Sequence, residues 1–294
     1  MNRLKKEQIV NSLYVYCDRY GSQNKAANSL KNVSAATISQ MLSVKWELIS
    51  DEMWRSVASQ IGVKLKEWNL VDTDTLLDLS KVLKDSKDDS QVMAAVGKAG
   101  SGKSTSIDHF RSCHKNVFAL KCNSFWNKKT FLSEILKEMG IEYRGLTESD
   151  MMSEAIHNIT RMENPLLIFD EADKLSDASL YLFISLYNSI EEECGIVLCG
   201  THHLEKRLLN GVSLNKKGYS EIWSRIGCKC IHLDGVSASD IVLICEANGV
   251  TEQRLIQKVI EDSETDLRRV KRKAYAIKKS RTASIGELKM SNED

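Results

Sequence analysis

The chain is 294 residues long, 42% hydrophobic and 28% charged, with a formal net charge of +1. Such a composition excludes a disordered polyelectrolyte, the length suits more than one domain, and no apolar run reaches the length of a membrane span. Near-neutral charge points to no partner by itself, but its distribution is uneven: residues 1–50 hold seven Lys/Arg against three acids, and residues 267–281 hold eight against none.

The basic start, with Arg3, Lys5 and Lys6, leads into no apolar segment, so neither a secretion signal nor an anchor is expected and the expected location is cytoplasmic. The eight cysteines (17, 113, 122, 194, 199, 228, 230 and 245) lack the paired spacing of a zinc ribbon and read as reduced core thiols. Cys228 and Cys230 are expected on one face of a strand.

In chain order, residues 22–42 carry two short helical patterns around a turn at Lys31–Ser34. Ala26 and Ala27 allow close helix crossing, Val33 fills the turn, Ser34 caps the second helix, and Ile38, Met41 and Leu42 share one face. That layout predicts a helix-turn-helix, flanked by helices at Lys5–Arg19 and Ser50–Ile61. Its outward positions, Ala35, Ala36, Thr37, Ser39 and Gln40, include no arginine to clamp guanine, so DNA contact there would be weakly sequence-specific. Lys25, Lys31 and Lys45 would reach phosphates. A three-helix protein-interaction module with a solvated basic face remains the alternative.

Residues 84–90 form a polar run that predicts a boundary. Beyond it strands and helices alternate: a strand at 91–96, a helix from Lys103, a strand at 117–121, helices at 128–139 and 149–162, a strand at 166–169, a helix at 178–192, and strands at 196–199 and 228–233. Alternation of this kind implies an α/β fold with a parallel sheet. From Ser237 the pattern is helical only, predicting a small lid. The expected domains are 1–70 (helix-turn-helix), 71–90 (linker or helix), 91–235 (α/β core) and 236–294 (helical lid with a basic segment).

Gly97-Lys98-Ala99-Gly100-Ser101-Gly102-Lys103-Ser104 follows an apolar strand and opens a helix, the context a phosphate-binding loop needs. Gly97, Gly100, Ser101 and Gly102 would turn backbone amides onto phosphates, Lys103 would reach the β- and γ-phosphates of ATP, and Ser104 would ligate Mg2+, with Thr105 beside it. The strand Leu166–Phe169 ends in Asp170 and Glu171, one to hold Mg2+ and the other to polarise the attacking water. Thr201, after the strand at 196–199, is placed to bond the γ-phosphate or the lytic water; the competing role is a helix cap.

These motifs, with Glu221–Gly227 and Asp266–Arg269, resemble over residues 91–280 the ordered motif set of AAA+ ATPases. The resemblance implies a five-stranded parallel core, Arg225 as a finger reaching a neighbouring subunit's nucleotide and Arg268 as a lid sensor, with Arg207 and Arg269 as competitors. Asp170-Glu171-Ala172-Asp173 also spells a helicase motif, but no second alternating domain follows. A helix-turn-helix ahead of such a core resembles the transposition protein B family of phage Mu and other transposons. That resemblance implies ATP-dependent, largely nonspecific binding to double-stranded DNA, a homo-oligomeric ring or filament, and a transposase partner. Replication-initiator or helicase-loader ATPases and ATP-gated transcription regulators stay open. Further candidate DNA contacts are Lys121, Lys128 and Lys129 around a polar and aromatic loop, and Lys271, Arg272, Lys278 and Lys279 on an amphipathic helix striped by Leu267, Val270, Ala274 and Ile277.

Overall fold

The computed structural model describes residues 3–43, 45–63 and 68–290. The chain divides into two compact units, Met1–Asn69 and Leu70–Asp294.

The first unit is helical: α1 (Arg3–Tyr20), α2 (Gln23–Ser29), α3 (Ala35–Leu42) and α4 (Asp51–Gln60). Its boundaries are set by hydroxyl caps, because Ser22, Ser34 and Ser50 accept the orphan backbone N–H groups of Lys25, Thr37 and Met53. Ile9, Leu13, Ala26, Ile38, Met41 and Trp54 are fully buried, and Val33 plugs the turn between α2 and α3.

The second unit is built on β1 (Val92–Val96), β2 (Val117–Lys121), β3 (Leu166–Asp170), β4 (Gly195–Gly200) and β5 (Ile231–His232). All pairings are parallel, in the order β2-β3-β4-β1-β5. Both faces are covered, and the period of two sorts the side chains between them. Leu167, Phe169, Ile196 and Leu198 join one core with α7 (Lys128–Glu138), α8 (Glu148–Ile159), α9 (Asp177–Ile190), α10 (His202–Ser213) and α11 (Tyr219–Arg225); Leu166, Ile168, Val197 and Cys199 join the other with α5 (Asp74–Asp88) and α6 (Lys103–Cys113). The lid comprises α12 (Ala238–Ala247), α13 (Gln253–Ser263) and α14 (Leu267–Met290). No described helix is long and apolar enough to cross a membrane.

Three expectations differ from the structure. The polar run at 84–90, expected as a boundary, is largely the last turn of α5, the helical alternative for 71–90, and Leu79, Val82, Leu83 and Ser86 of that helix are buried. Exposure of one helix face supplies the polarity, which in sequence looks the same as a break between elements. The packing is close enough that a Cβ on Gly195 would lie 2.2 Å from the Ser86 carbonyl oxygen. The last strand is also shorter than expected, Ile231–His232 only. Cys228, in the left-handed region at φ 54°, is exposed while Cys230 is buried, so the two thiols do not share a face.

Candidate nucleotide site

The strand order decides what meets at the nucleotide end of the sheet. β4 lies between β1 and β3, so the segments after β1 (phosphate loop), β3 (Asp170, Glu171) and β4 (Thr201) converge at one carboxyl edge.

The loop is shaped by left-handed turns at Gly100 (φ 79°) and Gly102 (φ 101°). Lys103, 9% exposed, donates from Nζ to the carbonyl oxygens of Gly97 and Lys98, each at 2.7 Å. Burial pushes this ammonium below its ordinary pKa and the charge of Arg268 adds to the shift, against the opposing pull of Cys199, Asp170 and Asp173. The Ser101 hydroxyl is buried without a hydrogen-bond partner, a polar atom with capacity for a phosphate oxygen. Ser104 is half-buried and Thr105 exposed in the first turn of α6.

Ser104 Oγ donates to Asp170 Oδ2 at 2.6 Å, so two hard oxygen donors share one spot beneath the loop. Burial raises the Asp170 pKa; the bonds from Ser104 and the Glu171 amide pull it back only in part. This oxygen donor set suits Mg2+. Consecutive strand residues would face opposite ways, but Glu171 adopts φ 57° and breaks the alternation at the strand end. Its carboxylate accepts from Lys174 Nζ at 2.5 Å and lies 3.7 Å from Lys121 Nζ. Burial alone would raise the Glu171 pKa, yet the Lys174 bond and the two lysine charges outweigh it and hold the group below the usual range.

Thr201 takes the capping role: its Oγ1 accepts from the His203 amide at 3.3 Å and donates to Asp173 Oδ2 at 3.2 Å. The loop is also closed by the lid. A Cβ on Gly100 would lie 2.5 Å from the Asp266 carboxylate, and the Leu267 amide donates to the Gly100 carbonyl at 2.9 Å. Arg268 therefore starts its helix beside the phosphate loop. Sequence reasoning named Asp173 and Asp266 only as members of motif segments, with no role of their own, and did not name Lys174. The spacing of three residues from Glu171 to Lys174 was a usable signal; the other two contacts are long-range.

The arginines separate clearly. Arg207 is locked to the carbonyls of Asp173 and Leu175, to Asp177 and to the Tyr219 hydroxyl. Arg269 pairs with Glu264 at 3.0 Å. Arg225, at the end of α11, stacks over the Tyr187 ring at 4.9 Å and donates from Nη2 to Asn188 Oδ1 at 3.2 Å, while its Nε is buried without a partner. The half-buried Arg225 is thus laid along α9 rather than held out in solvent.

The basic candidates are spread over several surfaces. Lys25, Lys31 and Ser39 are exposed in the first unit, with Thr37 and Gln40 half-buried on α3. Lys121, Lys128 and Lys129 are exposed around the loop after β2, where Phe125 is 74% exposed but Trp126 is buried. On α14 the expected stripe is in place: Val270 and Ala274 are fully buried and Leu267 and Ile277 partly so. Arg272 and Lys279 are exposed; Lys271, half-buried, lies over the Tyr275 ring at 5.9 Å, and Lys278 is half-buried near Gly249. The side chain of Arg281 lies outside the described residues.

Residues 85–208 match the family model described as AAA domain. The chain is 26% identical over 197 residues to the Mu-like prophage FluMu DNA transposition protein B of Haemophilus influenzae, covering 65% of either sequence. It superimposes on the Aeropyrum pernix ORC1 protein, solved in complex with DNA, with a TM-score of 0.50 at 15% identity, over 68% of this chain and 58% of that one. The chain therefore spans somewhat less than two thirds of the length of each, and the second likeness is one of fold. Strand order, phosphate loop and matched domain together give the second unit an AAA+ P-loop fold with a small helical lid, in a chain that resembles transposition protein B of Mu-like phages.

Proposed function

We propose that the chain hydrolyses ATP, assembles on double-stranded DNA with little sequence preference, and acts in DNA transposition by selecting targets and stimulating a transposase. The observation that carries this reading is the Ser104–Asp170–Glu171 cluster beneath a phosphate loop, in a chain similar to a DNA transposition protein. Ser104 and, through water, Asp170 would hold Mg2+, which when bound would supply positive charge beside the phosphates. Lys103 would exchange its two loop carbonyls for phosphate oxygens. Glu171 would turn from Lys174 to a water in line with the γ-phosphorus, and the hydroxyl of Thr201 would leave Asp173 to bond the γ-phosphate. Arg268, whose charge already acts on Lys103, would sense the same phosphate from the lid.

Arg225 would complete a neighbouring subunit's site by leaving Tyr187 and Asn188, supplying positive charge as the phosphoryl group transfers. Hydrolysis per subunit should then rise with protein concentration and with DNA. Arg225→Ala should bind ATP normally and hydrolyse it about a thousandfold more slowly. Mixed with Glu171→Gln, it should regain activity wherever an intact site meets an intact finger. Absence of recovery in demonstrably mixed oligomers sinks action in trans.

For DNA, the exposed lysines around Phe125 and the basic face of α14 supply phosphate contacts, and Lys25, Lys31, Thr37, Ser39 and Gln40 supply a weakly selective helix surface. Replacing Lys271, Arg272, Lys278 and Lys279 together by Gln should weaken binding to random and defined sequences alike. It should also flatten the dependence of log K on log salt by up to about four. Filter binding at several salt concentrations, with ATP and with ADP, measures both. One preferred site, or an unchanged slope, counts against nonspecific binding through this helix.

A further inference from the structure

Outside the nucleotide site, one cluster of donor atoms has no part in the reactions above. His202 opens α10, Glu205 lies one turn further on the same helix face, and His232 ends the edge strand β5. One ligand atom from each of the three lies within 4.8 Å of the others. His232 Nε2 is 3.1 Å from Oε1 and 3.0 Å from Oε2 of Glu205, and the two imidazole rings stack with centroids 5.6 Å apart.

We propose that His202, Glu205 and His232 bind one divalent transition-metal ion, with Zn2+ the best match to the donors and water completing a tetrahedron. Two imidazoles and one carboxylate suit zinc, whereas Mg2+ and Ca2+ favour all-oxygen shells. Zinc–donor bonds of about 2.0–2.2 Å put tetrahedral donors roughly 3.3–3.5 Å apart. The His232–Glu205 pair is already close to that spacing, and closure needs about an ångström of movement, which the exposed His202 ring can supply. Glu205 is the less exposed member, so its carboxylate offers an anchored ligand between two adjustable ones. A bound ion would staple the start of α10, next to Thr201, to β5, whose following residue Leu233 comes within 3.3 Å of the Cβ position of Gly97. It would join two elements that border the phosphate loop without touching the loop itself.

A plain histidine–glutamate hydrogen bond would hold two of these residues at the same spacing, so the test must separate the two. Metal-stripped full-length protein, with ADP and Mg2+ present and with the exposed Cys113 and Cys228 changed to Ser, is titrated calorimetrically with Zn2+. One tight equivalent is expected, together with a higher midpoint of thermal unfolding. Glu205→Gln and His232→Asn should each weaken binding by at least about 100-fold, beyond the roughly 10- to 100-fold cost of losing an outer-shell partner, while ADP affinity reports an intact fold. An equivalent that both variants leave unchanged overturns the assignment. The Co2+ form of the Ser-substituted chain with all three ligands decides without any ligand variant: intense tetrahedral visible bands are expected, and the weak spectrum of the hydrated ion overturns the site.

Discussion

Lys103→Ala is expected to abolish measurable ATP and ADP binding while leaving the fold in place. The ammonium is 9% exposed and held by the Gly97 and Lys98 carbonyls, so it stands preorganised at the one point where the loop meets the sheet. Removing it leaves the phosphates facing amide dipoles alone, in a site where burial strengthens every electrostatic contact. Loss of a charge-assisted contact to each of two phosphates, at about 1.5–3 kcal/mol apiece, amounts to a fall in affinity of at least two to three orders of magnitude. The two carbonyls lose their partner as well; Lys98 is exposed to water but Gly97 is buried, so a loss of stability of about 1–3 kcal/mol, too small to unfold the chain, is expected alongside. Calorimetric titration, with circular dichroism to monitor the fold, measures both effects. Unchanged affinity would remove residues 97–104 from the phosphate-binding role, and loss of the fold would make Lys103 a structural residue first.

Glu171→Gln is expected to keep nucleotide binding and to lower turnover by about two to four orders of magnitude, the range for loss of a positioned base. The substitution conserves size and one acceptor oxygen, so the bond from Lys174 can persist. Its ion pairs with Lys174 and Lys121 involve side chains 48% and 68% exposed, and such pairs contribute only about 0–1 kcal/mol to stability. Binding and folding should therefore survive while the chemical step fails. Single-turnover hydrolysis with Mg2+ and ATP separates this from slow product release. Turnover within a few-fold of the unaltered chain would show that another group orients the water. Asp173 would then be the next candidate, since it already binds the Thr201 hydroxyl.

The lid contact bears on both experiments. Asp266 packs its carboxylate against Gly100 and accepts from the Arg268 amide at 2.7 Å, so an anionic side chain borders a loop suited to anions. Phosphates arriving in the loop would meet that charge, and the start of α14 would have to adjust. Nucleotide occupancy would thereby be coupled to the position of the basic helix.

The amino-acid sequence by itself determined the local chemistry. Glycines at 97, 100 and 102 before Lys103-Ser104, and two carboxylates at the end of an apolar strand, marked the phosphate loop and its acidic partner because those functions depend on residue type at short spacing. Serines 22, 34 and 50 fixed helix starts for the same reason: a cap acts within three residues. The buried stripe of α14 followed from its period. Tertiary structure alone decided whatever depends on neighbours distant in the chain. Insertion of β4 between β1 and β3 brings Thr201 to the site, yet its hydroxyl goes to Asp173. Packing of α5 on the sheet decided between linker and helix for 71–90, since a polar outer face says nothing about the face beneath. Arg207 and Arg225 each lie over a tyrosine ring and are separated only by their polar surroundings, four hydrogen-bond partners around the first and a single one, Asn188, at the second. His202, Glu205 and His232 span 31 residues and meet because β5 pairs with β1 beside the start of α10, a proximity that no sequence period encodes.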